Sequence, residues 1–391
     1  MTSQNLPLSG VRVVEMTHMV MGPSCGMILA QLGADVIKVE PPVGDKTRSL
    51  GGMGTSFFPL FNRGKRSVVL DFTEVDDRAT MDRLLASADV FLENFRDGQL
   101  EKQGLGTDEL RRRYPHLIVA GHKGFLSGPY EHRPALDEVV QMMSGLAAMT
   151  GTRDKPQRVG SSANDIMGGM FGAIAILAAL YQKRGGAEGA DIRIGLFENC
   201  LFLVAQHMVE YEMTGNKPRS MPEREHAWPI YDIFETADGE RIFIGVVTEG
   251  HWQSFCQQFG LQEFLDDPAL RTTTDRIMAR SRIIPRAVEV IKRWKANELS
   301  ATLDRLNICF SPINRPEDLF GDPHVLRAGG LVHNINSDGE TFRVPALPIE
   351  WNGAGIGEGL KVPMLGADTS DVRAELAQEF SPTTKAAARP A

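Results

Sequence analysis

The stretch that decides the fold is Val11-Arg12-Val13-Val14-Glu15-Met16, then Pro23 to Leu32, then Asp35-Val36-Ile37-Lys38-Val39-Glu40. Two short β-branched runs flank a segment with proline in its first turn, which reads as strand, helix, strand. The pattern repeats in Ser67 to Asp71, Val90 to Asn94 and Leu117 to Gly121, with an amphipathic stretch, Val75 to Ala88, between the first two. Such alternation demands right-handed crossovers and predicts an α/β fold built on a mostly parallel, doubly wound sheet.

Further along, Ala135 to Thr150 and Ile166 to Arg184 read as two long helices, Asp191 to Gly195 as a strand, and Phe197 to Met213 as a helix. Thr214 to Pro229, rich in Gly, Pro, Asn, Ser and charge, is the best linker. Tyr231 to Glu235 and Arg241 to Val246 then form a hairpin-like pair around Ala237-Asp238-Gly239, with helices following to about Leu306. This is a smaller α+β unit. The pattern after Leu331, short strands and prolines, fits either a third piece or a return to the first domain. Ser381 to Ala391 has no apolar period and is expected to fray.

The 391 residues allow two or three domains with a large core, and 42% apolar against 24% charged residues is a globular mix. A formal charge of -8 repels phosphodiester backbones and anionic lipid, so nucleic acid and membrane surfaces are not expected partners. The four cysteines, Cys25, Cys200, Cys256 and Cys309, are too far apart for a CxxC pair, and a reducing, cytoplasmic setting fits them. No secretory leader is visible. The apolar stretch Ile166 to Tyr181 is shorter than the roughly 20 residues that span a bilayer and reads as a buried helix.

Several common chemistries lack their signatures. The first turn, His18-Met19-Val20-Met21-Gly22-Pro23, has no G-x-G, although Glu40 stands where a dinucleotide fold keeps its ribose-binding acid. A nicotinamide-dependent oxidoreductase is therefore disfavoured. No H-x-x-x-H or H-E-x-x-H spacing supports a metal, and neither G-x-S-x-G nor a phosphate-binding G-x-x-x-x-G-K loop occurs. Asp165 stands one residue before the uncharged helix, where the helix dipole favours an ionised carboxylate. It reads either as a plain N-cap or as a reactive acid, with Gly168 and Gly169 leaving room beside it. Lys46, Arg48, Arg63, Lys65, Arg66, Arg96, Lys102 and Lys123 could form a cationic site for phosphates or a solvated surface.

Taken together, a collinear series of segments resembles the class III CoA-transferases, the superfamily that includes the α-methylacyl-CoA racemases. The matching stretches are Leu8 to Glu15, Gly22-Pro23, Gln31 to Pro42, Gly44-Asp45 with Arg48, Asn62 with Gly64 to Ser67, and Glu93-Asn94-Phe95. They continue through Lys123-Gly124-Phe125, Ser144-Gly145-Leu146, Asp165 with its Gly-rich helix, Ser311 to Asn314, and Pro363 to Thr369.

The resemblance implies a Rossmann-like large domain made from residues 1–222 and 331–391, a small α+β domain at 223–330, and an interlocked homodimer. Coenzyme A would be a substrate, with no permanently bound cofactor. Asp165 would be the nucleophile, carrying CoA as an aspartyl thioester. CoA would lie along His18, Val20, Met21, Leu70, Thr73, Asn94, Phe95, Arg96, Lys102, Lys123 and Asp137. The acid substrate would meet Gly168 and Gly169, beside a helix N-terminus whose N–H groups could hold an oxyanion, with Arg133, His226, Arg224 and His18 as candidates for a second carboxylate. The glycine-run loop of formyl-CoA transferase has no counterpart here. The racemase branch pairs this Asp with a His, and Leu136 stands at that position, so racemisation lacks one of its two proton carriers. The segments around Gly124 to Thr150 and Asn164 look most like relatives moving CoA from succinyl-CoA to small C4–C6 dicarboxylates.

Overall fold

A computed structural model describes residues 6–224 and 227–381. The chain forms two compact units, one from residues 1–222 and 323–391, the other from residues 223–322.

The first unit opens with β1 (Arg12–Met16), α1 (Met21–Gln31), β2 (Asp35–Glu40), α2 (Phe57–Asn62), β3 (Arg66–Val69), α3 (Val75–Ser87) and β4 (Val90–Glu93). It continues with α4 (Thr107–Arg113), β5 (Ile118–Lys123), α5 (Asp137–Met143), α6 (Leu146–Thr150), α7 (Ala163–Arg184), β6 (Asp191–Gly195) and α8 (Leu196–Thr214). The six strands form one sheet in the order β3-β2-β1-β4-β5-β6, with every pairing parallel. Strand side chains alternate between two cores, as their period of two requires. Val14, Ile37 and Val119 pack with Leu84, Leu85 and Leu110, whereas Val13, Val36 and Ile118 pack with Leu29, Ala173 and Ile176. Both faces are covered by helices, which explains the near-continuous apolar runs read at the start.

Helix α1 is buried along almost its whole length, and Pro23 in its first turn removes an N–H that has no helical acceptor. α7 crosses it very closely. A Cβ on Gly168 would lie 2.5 Å from the Met21 side chain, and one on Gly169 would lie 2.0 Å from Ser24 Oγ and 2.8 Å from the Met21 carbonyl. These glycines therefore serve helix packing and leave no space for a substrate. The reading of a wholly buried helix is also corrected: Met170, Ile174, Leu177 and Tyr181 on α7 are exposed. Among the described residues, α7 is the one helix long and apolar enough to cross a membrane by length and composition.

The single helix expected over Ala135 to Thr150 is two, α5 and α6, interrupted at Gly145, whose φ of 88° is left-handed. After Leu331 the chain forms a hairpin, β10 (Leu331–Ile335) with β11 (Thr341–Pro345), and then returns to the large sheet. There Asp368 accepts the Ser67 N–H at 2.8 Å, Thr369 Oγ1 accepts the Val69 N–H at 3.0 Å, and Gly366 donates to Ser67 Oγ at 2.9 Å. These contacts cover the open edge of β3. The last described helix, α14 (Thr369–Glu379), buries Val372 and Leu376 and pairs Glu375 with Arg66.

The second unit is an antiparallel sheet of β7 (Ile230–Glu235), β8 (Arg241–Val246) and β9 (Cys309–Pro312). Its helices are α9 (Glu249–Gln258), α10 (Gln262–Leu265), α11 (Thr273–Met278), α12 (Arg280–Ile291) and α13 (Ala296–Arg305). Trp252, Phe255, Ile283 and Leu299 fill the core between sheet and helices.

Candidate active site

In an open parallel sheet, ligands gather at the carboxyl ends of the strands where the order reverses, here between β1 and β4. A cleft of about 860 Å³ opens at that point. It gathers His18, Val20 and Met21 after β1, Asn94, Phe95 and Arg96 after β4, Lys123 at the end of β5, and Arg133, Asp137 and Asp165.

The turn after β1 is held under strain. Met19 adopts a left-handed φ of 65°, costly for a residue with a side chain. Asn94 clamps that turn, accepting the His18 N–H at 3.0 Å and donating to the His18 carbonyl at 2.8 Å. The His18 and Phe95 rings lie 5.5 Å apart. Desolvation pulls the His18 imidazole below its ordinary pKa, which favours its neutral form.

Lys123 is committed to structure: its Nζ lies 2.9 Å from Glu93, 3.2 Å from Asp97 and 2.9 Å from the Phe95 carbonyl. Burial raises the Glu93 pKa although Lys123 opposes it, and the other Glu93 oxygen accepts the Phe95 N–H at 2.7 Å. Most of the early basic residues are similarly spoken for. Lys65 is 2.8 Å from buried Glu15, Lys38 is 2.9 Å from Asp45, and Arg48 grips Glu40 with two bonds of 2.8 and 2.6 Å. Arg63 is buried with backbone carbonyls for partners, and burial lowers its pKa to about 10. Glu40, the acid that would hold a ribose in a dinucleotide site, is thus occupied by Arg48 and by Ser67 Oγ at 2.7 Å. Lys46, Arg96 and Arg133 remain on the cleft without an acidic partner among the described residues, the Arg133 guanidinium lying 4.8 Å over the Tyr130 ring.

Asp165 lies in the first turn of α7, which begins at Ala163, and not ahead of the helix. Two flanking contacts fix it. Its own N–H donates to Asp137 Oδ2 at 3.0 Å. Its neighbour Asn164 donates to the Leu196 carbonyl at 3.0 Å and receives both Asn199 Nδ2 contacts, at 2.6 and 2.8 Å. The start of α7 is thereby locked to the start of α8. The expectation of an ordinarily ionised carboxylate is overturned: burial, then the charges of Asp137 and Glu138, raise the Asp165 pKa to about 7. Burial and the two neighbouring acids outweigh the helix dipole at this first turn.

Other expected site residues fall elsewhere. Leu70 is in the core beneath the sheet, and Thr73 folds its hydroxyl onto Asp71 at 2.7 Å. Lys102 is exposed on a one-turn 3₁₀ helix, and none of these three lines the cleft. Gly168 and Gly169 are packed on α1, as described above, and lie inside α7 beyond its first turn. Asp137 is tied to Asp165 and Gln141 rather than open to CoA. Arg224 belongs to the second unit, and His226 lies outside the described residues. Sequence reasoning missed Gln141, Asn199 and the Arg158–Glu138 pair. Only the spacing of Gln141, four residues after Asp137 on one helix, could have signalled a contact.

Leu136, at the place where a racemase would keep its histidine, lines the cleft and is exposed. His122 is on the cleft wall as well, but burial lowers its pKa to about 4.

The sequence and fold that carry this cleft have counterparts among known proteins. The model of CoA-transferase family III matches residues 8–369. A succinyl-CoA–D-citramalate CoA-transferase of Chloroflexus aurantiacus is 31% identical over 90% of this chain and 92% of its own. A succinate–glutarate CoA-transferase of Agrobacterium fabrum is 31% identical over 96% of this chain and 97% of its own. The crystal structure of a CaiB/BaiF family protein from Brucella suis superposes with a TM-score of 0.86 at 33% identity, covering 95% of this chain and 100% of that one. The chain belongs to CoA-transferase family III and is an enzyme of that family.

Proposed function

We propose that the enzyme moves CoA from succinyl-CoA to a small dicarboxylic acid through a covalent intermediate on Asp165. The observation that carries this reading is the Asp165 carboxylate itself, on the cleft and with its pKa raised to about 7. A carboxylate whose charge is costly is a stronger nucleophile, and it gains when acylation removes that charge. One Asp165 oxygen attacks the thioester carbonyl; the C–S bond breaks, giving a mixed anhydride and CoA thiolate. The thiolate attacks the aspartyl carbonyl and expels succinate, leaving the aspartyl-CoA thioester. An acceptor carboxylate then attacks that thioester, and the same steps run in reverse.

The dicarboxylate class is supported by the relatives, whose names give succinate, citramalate and glutarate. A second carboxylate needs a cation on the cleft, and Arg133 fits because it lines the cleft and no acid among the described residues pairs with it. A donor–acceptor matrix read by mass spectrometry, with itaconate, mesaconate, malate and hydroxymethylglutarate against formate and carnitine, tests the class.

A homodimer belongs to the same reading. Exposed Met170, Ile174, Leu177 and Tyr181 on α7, with Phe202 and Met208 on α8, make an apolar surface that a second copy would cover. Sedimentation at micromolar concentration tests it.

The covalent scheme is tested by supplying succinyl-CoA without an acceptor and adding hydroxylamine. The Asn164-Asp165-Ile166 peptide should become a hydroxamate, with loss of activity, only after exposure to the thioester. Robust transfer by an enzyme that stays unlabelled refutes the scheme.

A further inference from the structure

Asp137 does something that neither CoA binding nor helix capping requires. It is buried, and both its oxygens are taken: Oδ2 by the Asp165 N–H at 3.0 Å and Oδ1 by Gln141 Nε2. Gln141 cannot turn its amide, because its Oε1 accepts the Val159 N–H at 2.9 Å. No Lys or Arg forms an ion pair with Asp137 among the described residues, although a buried acid usually recruits one. The chain instead places it against a second acid. We propose that Asp137 is a positioning residue for CoA transfer: it fixes the backbone of Asp165 and sets a negative charge against its carboxylate, a repulsion that is relieved when Asp165 is acylated. This rests on the reading of Asp165 as the nucleophile.

Among the other charged groups around Asp165, Glu138 pushes in the same direction but less than Asp137 does. Glu138, the next residue on α5, is paired with Arg158 from the loop before α7. Lys123 on β5 is held by Glu93 and Asp97, and His122 on β5 is uncharged. His18, Lys46, Arg96, His132 and Arg133 line the cleft from the turns after β1, β2, β4 and β5, and among the described residues none forms an ion pair with Asp165. Nearby cations would stabilise the resting carboxylate and weaken it as a nucleophile. The acid at 137 does the opposite.

The alternative is that Asp137 is a double hydrogen-bond acceptor and nothing more. Two variants separate the ideas. Asp137→Asn removes the charge, but whichever way the new amide turns, its Nδ2 meets another donor, either Gln141 Nε2 or the Asp165 N–H. In Asp137→Asn with Gln141→Glu every hydrogen bond is restored, and the charge moves one side chain further from Asp165. We expect the double variant to recover the wild-type melting temperature. It should still show kcat at least tenfold down with KM for acyl-CoA within about twofold, and the acidic limb of its pH–rate profile should move at least one unit lower. The trappable aspartyl thioester formed without acceptor should fall in parallel. Recovery of both kcat and the pH limb in the double variant overturns the proposal and leaves Asp137 a structural acceptor.

A second measurement does not depend on turnover. Carbodiimide labels protonated carboxyls, so the pH midpoint of labelling of the Asp165 peptide reads that group directly. The midpoint should drop by at least one unit in the double variant, and an unchanged midpoint overturns the electrostatic role. If Asp165→Ala still transfers CoA, the nucleophile reading has failed, whereas the labelling midpoint continues to judge the coupling between the two acids.

Discussion

Removing the Asp165 charge should make the folded protein more stable, and the gain should depend on pH in a way fixed by the site. The perturbation is Asp165→Asn, nearly the same shape without the carboxylate. In the folded chain the carboxyl pKa is raised from 3.8 to about 7. Below pH 4 both folded and unfolded chains keep the proton and no difference arises. Between about pH 4 and 7 the unfolded chain ionises while the folded one holds its proton, so rising pH costs the wild type stability. Above pH 7 the cost is complete. Roughly 3 pH units at 1.36 kcal/mol each give a ceiling of about 4 kcal/mol. Asp165 keeps some contact with water at the cleft, and halving for that leaves about 2 kcal/mol at pH 8 and under 1 kcal/mol at pH 5. Urea denaturation of both proteins at pH 5, 6.5 and 8 reads this directly, with intact mass checking that the amide has not hydrolysed. A stability difference that does not grow between pH 5 and 8 would refute the reasoning, because a structural helix-cap Asp gives the opposite sign: its loss would destabilise most at high pH. The expected pattern is that of a site whose reactivity is held at the expense of stability.

Other outcomes follow from the same geometry. Transfer by the wild type should rise about tenfold per pH unit below pH 7 and level off above it, as Asp165 ionises, measured as kcat/KM for acyl-CoA. Gly169→Ala should lose about 1–3 kcal/mol in chemical denaturation, because its Cβ meets Ser24 Oγ and the backbone of α1, which cannot move aside. Lys65→Met strands Glu15 without its nearest cation in the core and should cost about 3–5 kcal/mol by the same measurement; a smaller loss would mean that Lys38, 3.7 Å away, takes over. Arg96→Ala should raise KM for acyl-CoA several-fold while Lys102→Ala leaves it unchanged, since Arg96 lines the cleft and Lys102 does not; equal effects would place CoA along a different path.

The amino-acid sequence determined the sheet almost residue by residue. Asp35–Glu40 and Asp191–Gly195 are strands at the bounds read from pattern, and the other four strands are displaced by no more than two residues at either end. That success is physical: an apolar run buried on both faces is a local signal, and successive strand–helix alternation leaves one handed way to wind. Asp165 could also be singled out, since it is a lone carboxylate at the head of an uncharged, glycine-rich segment. Its chemistry could not. Burial is the largest cause of its raised pKa, the acid that accepts its N–H lies 28 residues away on another helix, and the amide that locks Asn164 lies 35 residues away in the other direction. The same holds for Lys65 and Arg48, which look like free phosphate ligands in the sequence and are bound to Glu15 and Glu40 in the fold. Gly168 and Gly169 look like space for a substrate until α1 fills it. Periodicity is carried along the chain, so the sequence alone settles it; burial, charge partners and free volume depend on which distant segment arrives alongside, and only the tertiary structure decides that.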